Sequence, residues 1–354
     1  MPQKAVKIKS CFARADNGYI WAVIVLISLL LKSYGLTKEV KVSKTAFLFP
    51  GQGSQTPGMA TALAKESQVA RDILAEIDAI LSFNLSGLMA EGPSDELQLT
   101  QNAQPALFAS SIATLRTIED VTGKPIESLC DFVAGHSLGE YSALCAAQGI
   151  EVASTASLLR LRGEAMQKAV PVGEGAMAAL LGADLELADA VIEAASPTGL
   201  VEIANDNAAG QIVVSGETKA VEAAMEIARD KGLRRVISLP VSAPFHCAMM
   251  APAADVMAEA LGSTNMRNAR VPVVCNITAS TETSAEQLRA NLIAQVTGRV
   301  RWRETMEFMV ANGVTRFLEL GTGKVLSGLA KRAAPEAEIL SVDTLEDIQK
   351  AFNL

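Results

Sequence analysis

Residues Gly135-His136-Ser137-Leu138-Gly139 carry the G-x-S-x-G spacing. An apolar run, Phe132-Val133-Ala134, precedes them, and a helical stretch from Glu140 to Ala147 follows. Strand, tight turn and helix with a serine at the turn is the setting of a nucleophile elbow. The glycines permit the turn, and the helix start offers the Leu138 amide to a developing oxyanion. A serine nucleophile needs a base. The 354 residues hold only two histidines, His136 and His246. His136 adjoins the serine, and neighbours on such a turn project in different directions, so it reads as a packing or hydrogen-bonding group beneath the elbow. His246, in Ser242-Ala243-Pro244-Phe245-His246, is then the base by elimination. No acid is marked as its partner: Asp255 follows on a helix, but a backbone carbonyl or an amide would serve equally.

Two further segments suit the same chemistry. Phe49-Pro50-Gly51-Gln52-Gly53-Ser54-Gln55 runs from a strand into a glycine-rich loop. It lacks the Lys-Ser/Thr of a P-loop and the G-x-G-x-x-G spacing, so a phosphate cradle is disfavoured. A side-chain amide such as that of Gln52 fits a second oxyanion donor. Arg160-Leu161-Arg162-Gly163-Glu164-Ala165-Met166 lies on a helix whose apolar residues pack inward. An arginine on that face needs an anionic partner, because an unpaired buried charge is costly. A substrate carboxylate would bind its planar fork at two points. The local pattern does not choose between Arg160 and Arg162.

The elements that must position these groups alternate between short apolar strands and amphipathic helices. Strands are expected at 45–49, 132–134, 273–275, 316–320 and 339–342. Helices are expected at 59–80, 103–120, 151–168, 284–296 and 302–312. That alternation predicts an α/β layer architecture with a mostly parallel sheet. The middle differs: strand 176–181, helix 184–195, strands 201–204 and 211–214 about a loop at 205–210, helix 218–231, strand 235–241. This is a β-α-β-β-α-β order. The expected fold is a large α/β-hydrolase-like domain from residues 42–171 and 243–354, interrupted by a small ferredoxin-like domain at 172–242.

Residues 1–41 look different. Seven basic residues against two acidic ones give them a net charge of +5, which leaves −13 for the rest of a chain at −8 overall. The apolar run Ile20–Leu31 would span about 18 Å as a helix, short of the ~30 Å hydrocarbon core. No small-x-small cleavage site follows it. We expect this segment to lie outside the fold, with Val42 as an alternative start.

The acidic balance argues against a nucleic-acid partner. Two histidines argue against a histidine-rich metal site. The five cysteines show no C-x-x-C pair and read as free thiols of a reducing compartment, with Cys247 most simply a small buried residue. No metal and no membrane span are expected.

The motifs at 49–55, 135–144 (Gly-His-Ser-Leu-Gly-Glu-Tyr-Ser-Ala-Leu), 162–166 and 243–246 occur together and in this order. Together they resemble the malonyl-CoA:acyl carrier protein transacylases of bacterial fatty acid synthesis. The similarity runs from about Ser43 to near the C-terminus and includes Glu319-Leu320-Gly321-Thr322-Gly323-Lys324-Val325-Leu326. It implies Ser137 as nucleophile, His246 as base, Arg162 on the malonyl carboxylate, and an oxyanion hole from Gln52 and the Leu138 amide. It further implies that the backbone carbonyl of Gln295 orients the histidine and that Phe245 crowds an α-methyl group. Malonyl-CoA would be substrate, with no bound cofactor, and acyl carrier protein the partner of a cytoplasmic, monomeric enzyme. Arg299, Arg301, Arg303, Lys324, Lys331 and Arg332 are candidates for docking the acidic carrier. Two stretches depart from the usual pattern: Cys247-Ala248-Met249-Met250, and Arg299 where proline is frequent. A serine thioesterase with the same elbow is the alternative, but it would leave Arg162 unexplained and would normally place histidine late in the chain.

Overall fold

The computed structural model describes residues 43–241 and 243–354. The expectations for residues 1–41 and for Cys11 lie outside the described residues. The strands are β1 (Lys44–Phe49), β2 (Phe132–Gly135), β3 (Gly175–Leu181), β4 (Val201–Ala208), β5 (Gln211–Glu217), β6 (Arg235–Ser238), β7 (Val273–Val274), β8 (Thr281–Glu282), β9 (Val314–Leu320) and β10 (Glu338–Val342). The helices are α1 (Thr61–Glu66), α2 (Gln68–Leu81), α3 (Leu85–Glu91), α4 (Ser94–Gln98), α5 (Thr100–Thr122), α6 (Gly139–Ala146), α7 (Val152–Ala169), α8 (Leu185–Ala195), α9 (Thr218–Asp230), α10 (Ala251–Ser263), α11 (Ala285–Thr297), α12 (Trp302–Ala311), α13 (Val325–Ala333) and α14 (Leu345–Phe352).

Six strands form one sheet in the order β10-β9-β1-β2-β7-β8. Every pairing in it is parallel except β7 with β8. A parallel sheet covered on both faces needs apolar residues at successive positions, and β1 supplies them. Phe47 and Phe49 join one core cluster, while Ala46 and Leu48 join the cluster on the opposite face. β1 is flanked by β2 and β9, so the loop leaving it and the loop leaving β2 emerge side by side at the carboxyl end of the sheet. That is where open α/β sheets present their clefts.

A second, antiparallel sheet has the order β4-β5-β3-β6. Its elements follow one another as β3-α8-β4-β5-α9-β6. One face carries Ala178, Leu180, Val201, Ile212 and Val214 against residues of α8 and α9. The other face turns Met177, Ala179, Ala204 and Val213 into the large core.

Three expected boundaries need correction. The helix expected at 59–80 is two helices, because Ser67 is extended and caps α2 by accepting from the Ala70 N–H at 3.1 Å. The loop expected at 205–210 is mostly strand: β4 runs through Asn205-Asp206-Asn207 to Ala208, leaving two residues in the turn. Asp206 and Asn207 are held in the strand by bonds to distant parts of the chain. The Asp206 N–H donates to the Val300 carbonyl at 2.9 Å, and its buried carboxylate pairs with Arg303 at 2.8 Å. Finally, the strand expected to reach 241 ends at Ser238.

Candidate active site

Ser137 sits at the carboxyl end of β2 with φ +54°, a left-handed conformation that costs a non-glycine residue roughly 1–2 kcal/mol. The neighbouring glycines are sterically required. A Cβ on Gly135 would lie 1.8 Å from the Gly139 carbonyl oxygen, and one on Gly139 would lie 2.2 Å from that of Phe49. Asn276, just beyond β7, clamps the turn from the side. It accepts from the Ser137 N–H at 2.7 Å and donates to the Gly135 carbonyl at 2.7 Å.

His246 lies 109 residues further on, also left-handed at φ +58°. Its Nε2 is 2.8 Å from Ser137 Oγ and its Nδ1 is 2.9 Å from the Gln295 carbonyl oxygen. A carbonyl only accepts, so Nδ1 carries the proton and the Nε2 lone pair faces the serine hydroxyl. Among the described residues no carboxylate orients the ring, and Asp255 is exposed. Burial first, and the Arg162 charge second, push the His246 pKa down to about 3, so the resting imidazole is neutral.

Arg162 projects from α7 and is 1% exposed. Its Nη2 donates to Ser137 Oγ at 3.2 Å and to Gln295 Oε1 at 3.0 Å; its Nη1 donates to Gln104 Oε1 at 2.8 Å. All three acceptors are neutral, and among the described residues no carboxylate forms an ion pair with it. Arg160 instead faces outward to the Gln101 carbonyl and Asn102 Oδ1, with its guanidinium 4.6 Å from the Phe83 ring centroid. The structure thus separates two arginines that the local sequence left equivalent.

These groups open onto a cavity of about 690 Å³. Ser137, His246, Arg162, Gln52, Leu138 and Phe245 all line it. The Leu138 N–H donates to no protein acceptor among the described residues. Gln52 accepts at Oε1 from the Thr100 hydroxyl at 3.0 Å, which leaves its side-chain nitrogen uncommitted. Gln295 lies behind the cavity and uses its side chain as well as its carbonyl. Its Nε2 donates to the Ser137 carbonyl at 3.0 Å and to Glu140 Oε2 at 2.8 Å. Burial raises the Glu140 carboxyl to about 7, although hydrogen bonds from the Asn276 N–H and Gln295 oppose the shift.

His136, next to the serine on the elbow, also lines the cavity. Its Nε2 bonds Asn207 Oδ1 at 2.8 Å and its ring packs against Trp302, with centroids 5.4 Å apart. Cys247 is fully buried and donates to the Pro244 carbonyl. Of the six basic docking candidates, Arg299, Arg301 and Arg303 are engaged with Glu304, Asp206 and Glu307. Lys324, Lys331 and Arg332 are exposed, and Arg332 bonds only the neutral Gln211 and Ala209 oxygens. The described residues contain no cluster of His, Cys, Asp and Glu fit for a metal, and no helix among them is long and apolar enough to cross a membrane.

Sequence reasoning missed Asn276, Gln104, Glu140 and Asn207. Glu140 carried a signal, since an acid in the first turn of a largely apolar helix is conspicuous. The other three are single polar residues whose partners lie far away in sequence.

A serine on a parallel-sheet elbow, bonded to a histidine and facing a buried arginine, defines an acyl-group transfer site. The acyl transferase domain family matches residues 46–345, and the chain belongs to that family. It is 45% identical over 312 residues to the malonyl CoA-acyl carrier protein transacylase of Bacillus subtilis, covering 88% of this chain and 97% of that one. The structure resembles acyl-carrier-protein-S-malonyltransferase from Bartonella henselae with a TM-score of 0.86 at 51% identity, covering 88% and 98% of the two chains. A malonyl-transacylase solved in complex with a type II polyketide acyl-carrier protein gives 0.84 at 40% identity, covering 88% and 99%.

Proposed function

We propose that this protein moves the malonyl group from malonyl-CoA to the phosphopantetheine thiol of acyl carrier protein through a malonyl-Ser137 ester. The observation that carries the substrate class is Arg162: a buried guanidinium in ion-pair contact with no carboxylate among the described residues, its Nη2 3.2 Å from the serine oxygen. A carboxylate two bonds from the reacting carbonyl would supply the missing anion.

In the first half-reaction Ser137 Oγ gives its proton to His246 Nε2 as it attacks the thioester carbonyl. The oxyanion forms against Leu138 N–H and a Gln52 donor. The C–S bond breaks, and the leaving coenzyme A thiolate takes the proton back from His246. In the second half-reaction the carrier thiol gives its proton to His246, attacks the ester carbonyl and restores Ser137. The carbonyl of Gln295 holds the imidazole tautomer throughout. A carboxylate on Arg162 also offsets the positive charge that depresses His246, so a malonyl substrate makes its own base more basic. Phe245 on the cavity wall would disfavour a branched acyl group.

We read residues 42–171 and 243–354 as a hydrolase-like catalytic domain and 172–242 as an inserted ferredoxin-like one, in a monomeric cytoplasmic enzyme with residues 1–41 as an extension. The reaction as proposed draws only on protein groups and the two thiols. Incubation with malonyl-CoA followed by intact-mass measurement tests it. A malonyl adduct, lost in Ser137→Ala and passed to a carrier thiol, is the expected outcome. Rapid release of free malonate would instead make the protein a hydrolase.

A further inference from the structure

Four side chains run in one hydrogen-bonded line from Arg162 to Gln52. Arg162 Nη1 donates to Gln104 Oε1 at 2.8 Å, Gln104 Nε2 donates to Thr100 Oγ1 at 2.9 Å, and Thr100 Oγ1 donates to Gln52 Oε1 at 3.0 Å. The sense of the line is set at one end. A guanidinium has donors only, so the Gln104 amide must turn its oxygen to Arg162 and its nitrogen to Thr100. Thr100 then accepts from Gln104 and has its one proton for Gln52.

The two middle members are 0% and 1% exposed, so water does not compete for them. They stand one turn apart at the start of α5. That turn abuts α7 at Gly163, where a Cβ would lie 2.5 Å from Gln101 Cα and 2.7 Å from the Thr100 carbonyl oxygen. Gly163 is what lets the helix carrying Arg162 approach the helix carrying Gln104. Neither Thr100 nor Gln104 has a task in the reaction set out above.

We propose that Thr100 and Gln104 are positioning residues that couple a carboxylate on Arg162 to the placement of Gln52 at the oxyanion side. This rests on the roles proposed for Arg162 and Gln52. A carboxylate in the fork holds Arg162 in one orientation, and three successive hydrogen bonds carry that constraint to the loop after β1. With an acetyl group the guanidinium keeps only its bonds to Ser137, Gln104 and Gln295, and the line lacks the added constraint. The coupling turns recognition of a carboxylated acyl group into rate as well as affinity.

Thr100→Val removes the hydroxyl at nearly constant volume. In single-turnover loading followed by intact mass, its saturating rate with malonyl-CoA should fall about tenfold to a hundredfold, the scale of a displaced catalytic group. The half-saturating concentration should barely move. Loading from acetyl-CoA should fall less, so the malonyl-to-acetyl ratio of saturating rates drops, and Thr100→Ser should restore most of the loss. Gln104→Met breaks the adjacent link at similar volume and should reproduce the pattern; it decides the matter if Thr100→Val does not fold. The proposal is overturned if the hydroxyl-free variant loads malonyl at the wild-type rate. It is equally overturned if serine rescues nothing or if both acyl groups slow alike. Arg162→Ala measured in parallel keeps the failures apart. Unchanged acyl discrimination there removes the carboxylate role and the coupling with it. Lost discrimination there, beside a wild-type Thr100→Val, removes the coupling alone.

Discussion

Replacing Arg162 by alanine tests the site most directly, because its effect divides into two parts. One part is shared by every acyl substrate. The truncation strands Gln104 Oε1 and Gln295 Oε1 and removes a donor from Ser137 Oγ, so it costs stability and alignment whatever the thioester carries. The other part belongs to carboxylated substrates alone. Two charge-assisted hydrogen bonds at roughly 1.5–3 kcal/mol each amount to about 4 kcal/mol, or about a thousandfold in kcat/KM at 1.4 kcal/mol per decade. The shared part cancels when malonyl-CoA and acetyl-CoA are compared on the same variant. Their ratio of kcat/KM, measured by rapid quench and intact mass, should therefore fall about a thousandfold. The fall comes from the malonyl side, and acetyl loading should change far less. A ratio equal to wild type, with both substrates slowed together, would refute the assignment and leave Arg162 as a support for Ser137 and Gln295.

Further outcomes follow from the same geometry. His246 is depressed to about 3 by burial and by Arg162, so its base form persists on acidification; kcat/KM for malonyl loading should stay level from pH 8 to pH 5. An acid limb centred near 6.5, the ordinary imidazole value, would contradict that environment. Glu140 is raised from 4.5 to about 7, so folding favours its protonated form. Stability from this group is complete below pH 4.5 and is lost as pH rises through 7, by about 3 kcal/mol. Glu140→Gln should flatten that slope in denaturant titrations, and a wild-type slope in the variant would exclude Glu140 as its source. Gly135→Ala puts a methyl 1.8 Å from the Gly139 carbonyl oxygen and should destabilise the fold by more than about 4 kcal/mol; a melting temperature near wild type would show that the elbow is looser than described.

The parts of the site legible in the sequence were those whose signal is local or compositional. The elbow is a five-residue pattern with its strand and helix attached. His246 emerged because the composition offers only one other histidine. Arg162 and Arg160 were inseparable locally, since their difference lies in what α5, α11, the elbow and the loop after α2 bring alongside them. Gln295 entered only through family resemblance, because a backbone carbonyl has no side-chain signature. Asn276 and Gln104 could not be read at all: their partners stand 139 and 58 residues away. Asn205-Asp206-Asn207 misled in the other direction. Their composition favours a turn, and only tertiary partners such as Arg303, Val300 and His136 hold them in β4.

The place of β1 between β2 and β9 bears on how the chain is made. Ser43 Oγ meets Thr315 Oγ1 across 272 residues of sequence. A ribosome adding about 5–20 residues per second takes on the order of tens of seconds to deliver that partner. During this interval β1 can pair with β2, but its other edge is unpaired, and an open apolar edge invites association with other chains. The antiparallel sheet of 175–238 pairs its strands with one another, so most of it can assemble while the central strand waits, and only the end of β4 needs Val300 and Arg303. Slowing synthesis after β2 would therefore lengthen the exposure of one strand edge, and holdase chaperones would have a defined target in the nascent chain.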